Sequence, residues 1–182
     1  MIRTGLFLFA GLLLGLAIHL AVILILPAVA GNAITAEIAA LAPPAKLTLI
    51  ATPQAGGPNP MRLDPDLSYA VCRLDLGAGP GVVSGLLPQA FWSVAVFDSA
   101  GTVIYGTTNR DGIGQNLDLG IFNPAQTRLL AEQKIDIEQG LLIVEARTDE
   151  VFVVVRLAPP QPPMRARYEA QLGELACGNI RL

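Results

Sequence analysis

The chain opens on its most one-sided hydrophobic pattern. No formally charged side chain occurs between Arg3 and Glu37, and Gly5 to Leu26 is built mainly of Leu, Ile, Ala, Val, Phe and Gly. A helix needs about 20 such residues to cross the hydrocarbon core of a bilayer, so residues 1–30 are predicted to form a transmembrane anchor. A cleaved secretory signal is the alternative, with Arg3 as its basic start and Ala28-Val29-Ala30 as a small-x-small cleavage pattern. The apolar run exceeds the roughly 7–15 residues of a signal, which favours a retained anchor. Basic residues set the orientation. Arg3 and the terminal amine precede the span, and the first basic residue after it is Lys46. The N-terminus is therefore expected in the cytoplasm and the remainder on the far side. Within the span, His19 is a polar position that serves either packing or function, and Gly11 and Gly15 have the spacing that lets helices approach.

Past the span the pattern changes twice. Residues 31–66 read as a short helix and a connector. Asn32 can cap a helix carrying Ile34, Ile38 and Leu41 at helical spacing, and Pro43-Pro44 ends it. Pro53, Pro58, Pro60 and Pro65 then surround Gly56-Gly57, a stiff surface composition that a short strand over Leu47–Ile50 interrupts. From residue 67 the period becomes two. Tyr69–Leu76 alternates as a half-buried strand, Gly81–Leu86 is a weaker one, and Phe91–Phe97 is strong. Asp98 to Gly101 predicts a type I hairpin turn into Thr102–Gly106, with Gly in the left-handed position. A second hairpin is predicted from Leu141–Ala146 through Arg147–Glu150 to Val151–Leu157. Apart from Arg156 that last strand is apolar on both faces, which places it centrally. Two helices complete the pattern. Asn123-Pro124 with Gln126 opens one over Pro124–Gln133, with Leu129 and Leu130 as its apolar side. Met164, Tyr168, Leu172 and Leu175 form the stripe of the other, with Gly178 as its stop. The fold class is mainly β: an antiparallel β-sandwich-like domain over residues 67–182 with one or two short helices, behind a transmembrane helix.

Composition narrows the chemistry. The formal net charge is −3 and the only lysines are Lys46 and Lys134, so the clustered cations that bind nucleic acid are missing. Cys72 and Cys177 are the cysteine pair, both in the outward part. In an oxidising compartment they form one disulfide that staples an early strand to the C-terminal helix, or else remain as small buried thiols. The single histidine lies in the span, so the domain has no histidine-dependent triad or zinc site. It also has no Gly-x-Ser-x-Gly elbow and no phosphate-binding Gly-rich loop. No cofactor or metal is expected.

The polar run Thr107-Thr108-Asn109-Arg110-Asp111-Gly112 is the most suggestive cluster. Asn109 and Asp111, with Asn116 or Asp118, offer oxygen ligands, but the spacing departs from the 12-residue calcium loop. Side chains bonding their own backbone are the simpler reading. Arg110 can meet an anion or a nearby carboxylate. Arg73 and Arg156 sit inside apolar strands, where a buried arginine needs a partner such as Asp75 or Glu145. Phe91 and Trp92 point to opposite faces, so one belongs to the core and the other can line a groove or meet a partner. The candidate ligand or partner contacts are thus Arg73, Trp92, Asn109, Arg110, Asp111 and Arg156.

The run Phe91-Trp92-Ser93-Val94-Ala95-Val96-Phe97-Asp98, then Gly101 and Asn109-Arg110, resembles the bacterial family called domain of unknown function 1254. Ala70-Val71-Cys72-Arg73-Leu74-Asp75-Leu76 and the helix closing on a cysteine fit the same family, over roughly Leu67 to Cys177. Where the family often has Asn-Asp-Arg, Asn109 here adjoins Arg110 directly. The resemblance implies a β-rich envelope domain and a companion membrane protein of the related 1214 family, and it transfers no catalytic residue. The expectation is a single-pass protein of the bacterial inner membrane with a periplasmic binding or assembly module. The alternatives are a carboxylate-based hydrolase of an envelope sugar or lipid, drawing on Asp75, Asp98, Asp111 and Glu145, or a purely structural envelope protein.

Overall fold

The computed structural model describes residues 2–54, 56–111, 114–132 and 141–180. A helix, α1, runs from Ile2 to Leu41. The predicted restart at Asn32 does not occur, because the backbone continues as helix through Pro27 and Gly31. It stops before Pro43-Pro44, which cannot continue the hydrogen-bond ladder.

The strands are β1 (Leu47–Ile50), β2 (Ser68–Asp75), β3 (Gly81–Leu86), β4 (Phe91–Asp98), β5 (Val103–Thr108), β6 (Asn116–Phe122), β7 (Leu142–Glu145), β8 (Glu150–Ala158) and β9 (Ala176–Asn179). Two further α-helices, α2 (Pro124–Glu132) and α3 (Arg165–Leu172), lie between them. One sheet has the order β1-β2-β8-β4-β5, and the other β7-β6-β3-β9. Both are antiparallel except for the β6–β7 pair.

The two sheets face each other as a sandwich. The period-two pattern aims Ala70, Cys72 and Leu74 of β2, Trp92, Val94 and Val96 of β4, and Val151, Val153, Val155 and Leu157 of β8 into one core. Val83, Leu117, Leu119, Ile121 and Val144 meet them from the second sheet. Tyr168 and Leu172 of α3, with Leu175 beyond it, close one side. Each fully buried Leu, Val or Ile of this kind contributes about 1.5–3 kcal/mol, so the core outweighs any single polar contact.

The first predicted hairpin is present. Asp98 Oδ1 accepts from the amides of Ala100 (3.0 Å) and Thr102 (2.7 Å), and Gly101 takes φ 80°. The second is not a hairpin. Strand β8 is central, as its two apolar faces predict, but β2 and β4 occupy both of its edges. No edge remains for β7, which instead pairs parallel with β6 in the other sheet. A parallel pair needs a long crossover, and α2 lies in it. That helix opens on the expected capping box: Asn123 Oδ1 accepts from Gln126 N (3.0 Å) and Gln126 Oε1 from Asn123 N (2.9 Å). Its supposed apolar side is open, with Leu129 46% exposed. The predicted final residue, Gln133, lies outside the described residues.

Two strands were not predicted. In β6 the run Asn116–Phe122 reads as a polar loop at its start, although Leu117, Leu119 and Ile121 alternate into the core. Strand β9 occupies the place given to the end of the C-terminal helix. Gly178 is not a helix stop but pairs with Val82. Cys177 therefore sits on a strand, and its bond to Cys72 (Cα–Cα 6.1 Å) ties β9 of one sheet to β2 of the other.

Strand β2 was expected to be half buried, yet Tyr69 and Val71 on its outer face are only 7% and 3% exposed. The C-terminal part of α1 and the segment after β1 cover that face. Thr35, Ile38 and Leu63 lie around the same space as Tyr69, Phe152 and Val154.

Candidate functional site

The sequence-selected residues fall into four separate places. The turn after β5 is organised by Asp111. Its Oδ2 accepts from the Thr108 amide (2.7 Å), the Thr107 hydroxyl (3.0 Å) and the Thr108 hydroxyl (3.2 Å). The amide bond first, and the Thr107 hydroxyl second, hold its carboxyl below the ordinary value. This carboxylate serves its own loop. Asn109 donates its amide to Trp92 O (3.2 Å) and Nδ2 to Ala90 O (3.2 Å), fixing the turn to the start of β4. Asn109 Oδ1 is buried and has no hydrogen-bond partner among the described residues. The Arg110 side chain is exposed. Asn116 and Asp118 bond each other on β6. Gly112 lies outside the described residues. Among the described residues no three His, Cys, Asp or Glu side chains gather to hold a metal.

Arg73 forms an ion pair on the outer face of the first sheet. Its Nε and Nη2 lie 2.7 and 2.6 Å from Glu150 Oε1. The partner is neither Asp75 nor Glu145. Register explains this. Asp75 stands opposite Glu150, so Glu150 is diagonal to Arg73, within reach of long side chains. Glu145 belongs to the other sheet. Arg73 Nη1 also reaches Ala39 O of α1 at 3.5 Å.

Trp92 is a core residue, 1% exposed, rather than a contact surface. The aromatic left open is its neighbour Phe91, 49% exposed. The carboxylates proposed for a hydrolase are dispersed. Asp75 caps Gly77 N (2.9 Å), Asp98 and Asp111 hold their own turns, and Glu145 is exposed on β7. No two of the four line one of the described cavities.

The remaining place is a cavity of about 280 Å³ between α1 and the first sheet. Ile38 forms the helix side, Leu63 the connector side, and Phe97, Phe152 and Val154 the sheet side. Among the described residues Arg156 is the only charged one around it. Of the singled-out arginines it alone lies here, so Arg73, Arg110 and Arg156 do not converge. The sequence carried a partial signal for this site. A strand apolar on both faces needs a cover on each, but nothing in the pattern named α1 as the second.

The sequence profile described as protein of unknown function, DUF1254, matches residues 45–171, more than half of the chain. The chain belongs to the DUF1254 family. The match starts before β1 and ends within α3, so the family region takes in the strand assigned from sequence to the connector and stops short of Cys177. No curated protein is significantly similar to this DUF1254 chain in sequence. Among solved structures, the VPA0106 protein of Vibrio parahaemolyticus is similar in fold, with TM-score 0.52 and 11% identity over 65% of this chain and 29% of that one. An uncharacterized protein from Burkholderia cenocepacia aligns with TM-score 0.46 and 13% identity over 82% of this chain and 39% of that one. The DUF1254 chain thus spans well under half the length of either.

Proposed function

We propose that this DUF1254 chain is a single-pass inner-membrane protein, N-terminus in the cytoplasm, whose sandwich works in the periplasm as a binding or assembly module. One observation carries the reading. Ile2–Leu26 is long and apolar enough to cross a membrane, with mean hydropathy 2.7, and none of it is buried against the folded domain. A soluble protein would not leave such a surface in water. The Cys72–Cys177 bond supports delivery to an oxidising compartment. Leu86 (71% exposed) and Phe91 (49%) flank the link between β3 and β4 and give the module apolar surface for a partner. A companion membrane protein of the 1214 family is the partner we put forward. Affinity purification of the full chain from mild detergent should recover a stoichiometric partner, and protease added to sealed inner-membrane vesicles should leave the domain protected. Recovery of the chain alone sinks the assembly role, and cleavage in intact vesicles sinks the topology.

A further inference from the structure

We propose that the cavity under α1 binds one single-chain anionic amphiphile, its chain among the apolar side chains and its head group on Arg156. The chemistry of the walls divides in two. Ile38, Leu63, Phe97, Phe152 and Val154 offer hydrocarbon beside Thr35, Tyr69 and Gly101, and among the described residues Arg156 supplies the one charge. The single ion pair among the described residues is Arg73–Glu150. No hydrogen bond within the described chain takes up the Arg156 guanidinium, so it is open to a ligand.

Size selects the class. Ligand cavities generally span about 300–1,000 Å³, and this one, at about 280 Å³, stands just below that range. It admits one aliphatic chain and not the two of a phospholipid. Position supplies the source. At 1.5 Å per residue, Ile38 lies about 18 Å along α1 beyond Leu26, the end of the apolar span. The head-group layer adds only about 5–7 Å on each side of the hydrocarbon. The site therefore stands just clear of the bilayer, where a chain leaving the lipid would next lose its apolar surroundings. This source rests on the membrane-anchored reading above.

The test uses the full chain in lipid nanodiscs and a dodecanoate carrying a diazirine near its methyl end. Saturable labelling of one site is expected, with adducts on peptides containing Ile38 and Phe152–Val154. Val154→Trp, which fills the cavity, should cut that labelling at least tenfold. Arg156→Gln should weaken dodecanoate by about tenfold, the scale of one charge-assisted hydrogen bond, and leave dodecanol unchanged. Arg110→Gln, an exposed arginine away from the cavity, should change neither. Stronger competition by unlabelled dodecanoate than by dodecyl phosphate identifies a free fatty acid as the source. The reverse order identifies a lysophospholipid. Adducts confined to residues 2–26, or labelling indifferent to Arg156→Gln, would overturn the proposal, and this holds even if Val154→Trp fails to fold. Vesicle proteolysis separates the two readings. Binding by a domain on the cytoplasmic side keeps the site and removes its periplasmic setting, whereas a protected domain that binds nothing does the opposite.

Discussion

Cys177→Ser should lower the stability of the sandwich by about 3–5 kcal/mol. The bridge joins residues 105 apart in sequence. Closing a loop of that size removes unfolded-chain entropy worth roughly 4.7 kcal/mol in the chain-entropy treatment, while removals from natural proteins cost about 2–5 kcal/mol. Serine is close in size at this half-buried position. Cys72, which is fully buried, then remains as a thiol and behaves as a small hydrophobe, so little further loss is expected. Cys72→Ser would be a poorer choice, because a hydroxyl with no partner in the core adds about 1–3 kcal/mol of its own.

Trp92 is a natural reporter, since it is the only tryptophan and is 1% exposed in the core. Urea unfolding of the full chain in nonionic detergent can be followed through its emission. With a urea slope of about 2 kcal/mol per molar, the midpoint should fall by roughly 1.5–2.5 M. Dithiothreitol should bring the wild type to the same midpoint and leave Cys177→Ser unmoved. A shift under about 0.3 M, on a slope of the usual size, would show that the bridge constrains nothing. Two reactive thiols in protein denatured without reductant would go further and remove the oxidising-compartment argument.

Four other outcomes follow from local geometry. Gly79 has φ 135°, and a Cβ there would lie 2.3 Å from Ile180 O, so Gly79→Ala should cost about 1–3 kcal/mol by thermal melting. Gly178→Ala meets nothing within 4 Å and should be near neutral. Asp111 has its carboxyl held below the ordinary 3.8, so its contribution is present above that pH and is lost as pH falls through the lower folded value. Asp111→Asn should therefore flatten the acid limb of the melting curve below about pH 4, and an unchanged limb would refute the assignment. Glu150→Gln should cost only about 0.2–1 kcal/mol, because the ion pair it breaks is 30–40% exposed. A loss several times larger would mean that Arg73 is far less hydrated than its geometry indicates.

Strands marked by alternation and local turn chemistry were mostly legible, β6 excepted because its polar start reads as loop, whereas pairings that depend on distant partners were not. Phe91–Asp98 and its turn to β5 follow from local chemistry: an apolar alternation, an Asp that closes the turn and a Gly that accepts φ 80°. The Asn123–Gln126 capping box is equally local. The partner of β7 is not. Nothing within Leu142–Glu145 says that both edges of β8 are already taken. Strand β9 was hidden for a related reason. Ala176–Asn179 is short and poor in β-branched residues, and it is held as a strand by its pairing to β3 and its disulfide rather than by propensity. The cavity assembles residues from α1, the connector, β2, β4 and β8, so no window of sequence contained it.

Arg73 shows how a residue selected for one reason can serve another. An arginine inside an apolar strand invites a ligand, but three structural links converge on it. Its carbonyl accepts from Ala45 N (2.8 Å), Pro44 bridges to it, and its guanidinium spans Glu150 of β8 and Ala39 O of α1. These links lie where α1 ends and the sheet begins. Between Leu26 and Leu41 the helix has no break, so about 22 Å of it separates the apolar span from this junction. Through Arg73 the end of α1 and the residues just after it are tied to the sheet. The Thr35–Leu41 end of the helix lies over a sheet face that would otherwise expose Tyr69 and Phe152. The end of α1 therefore belongs to the packing of the sandwich as well as to the long helix. Separating helix and sandwich at residue 42 should therefore expose that apolar face.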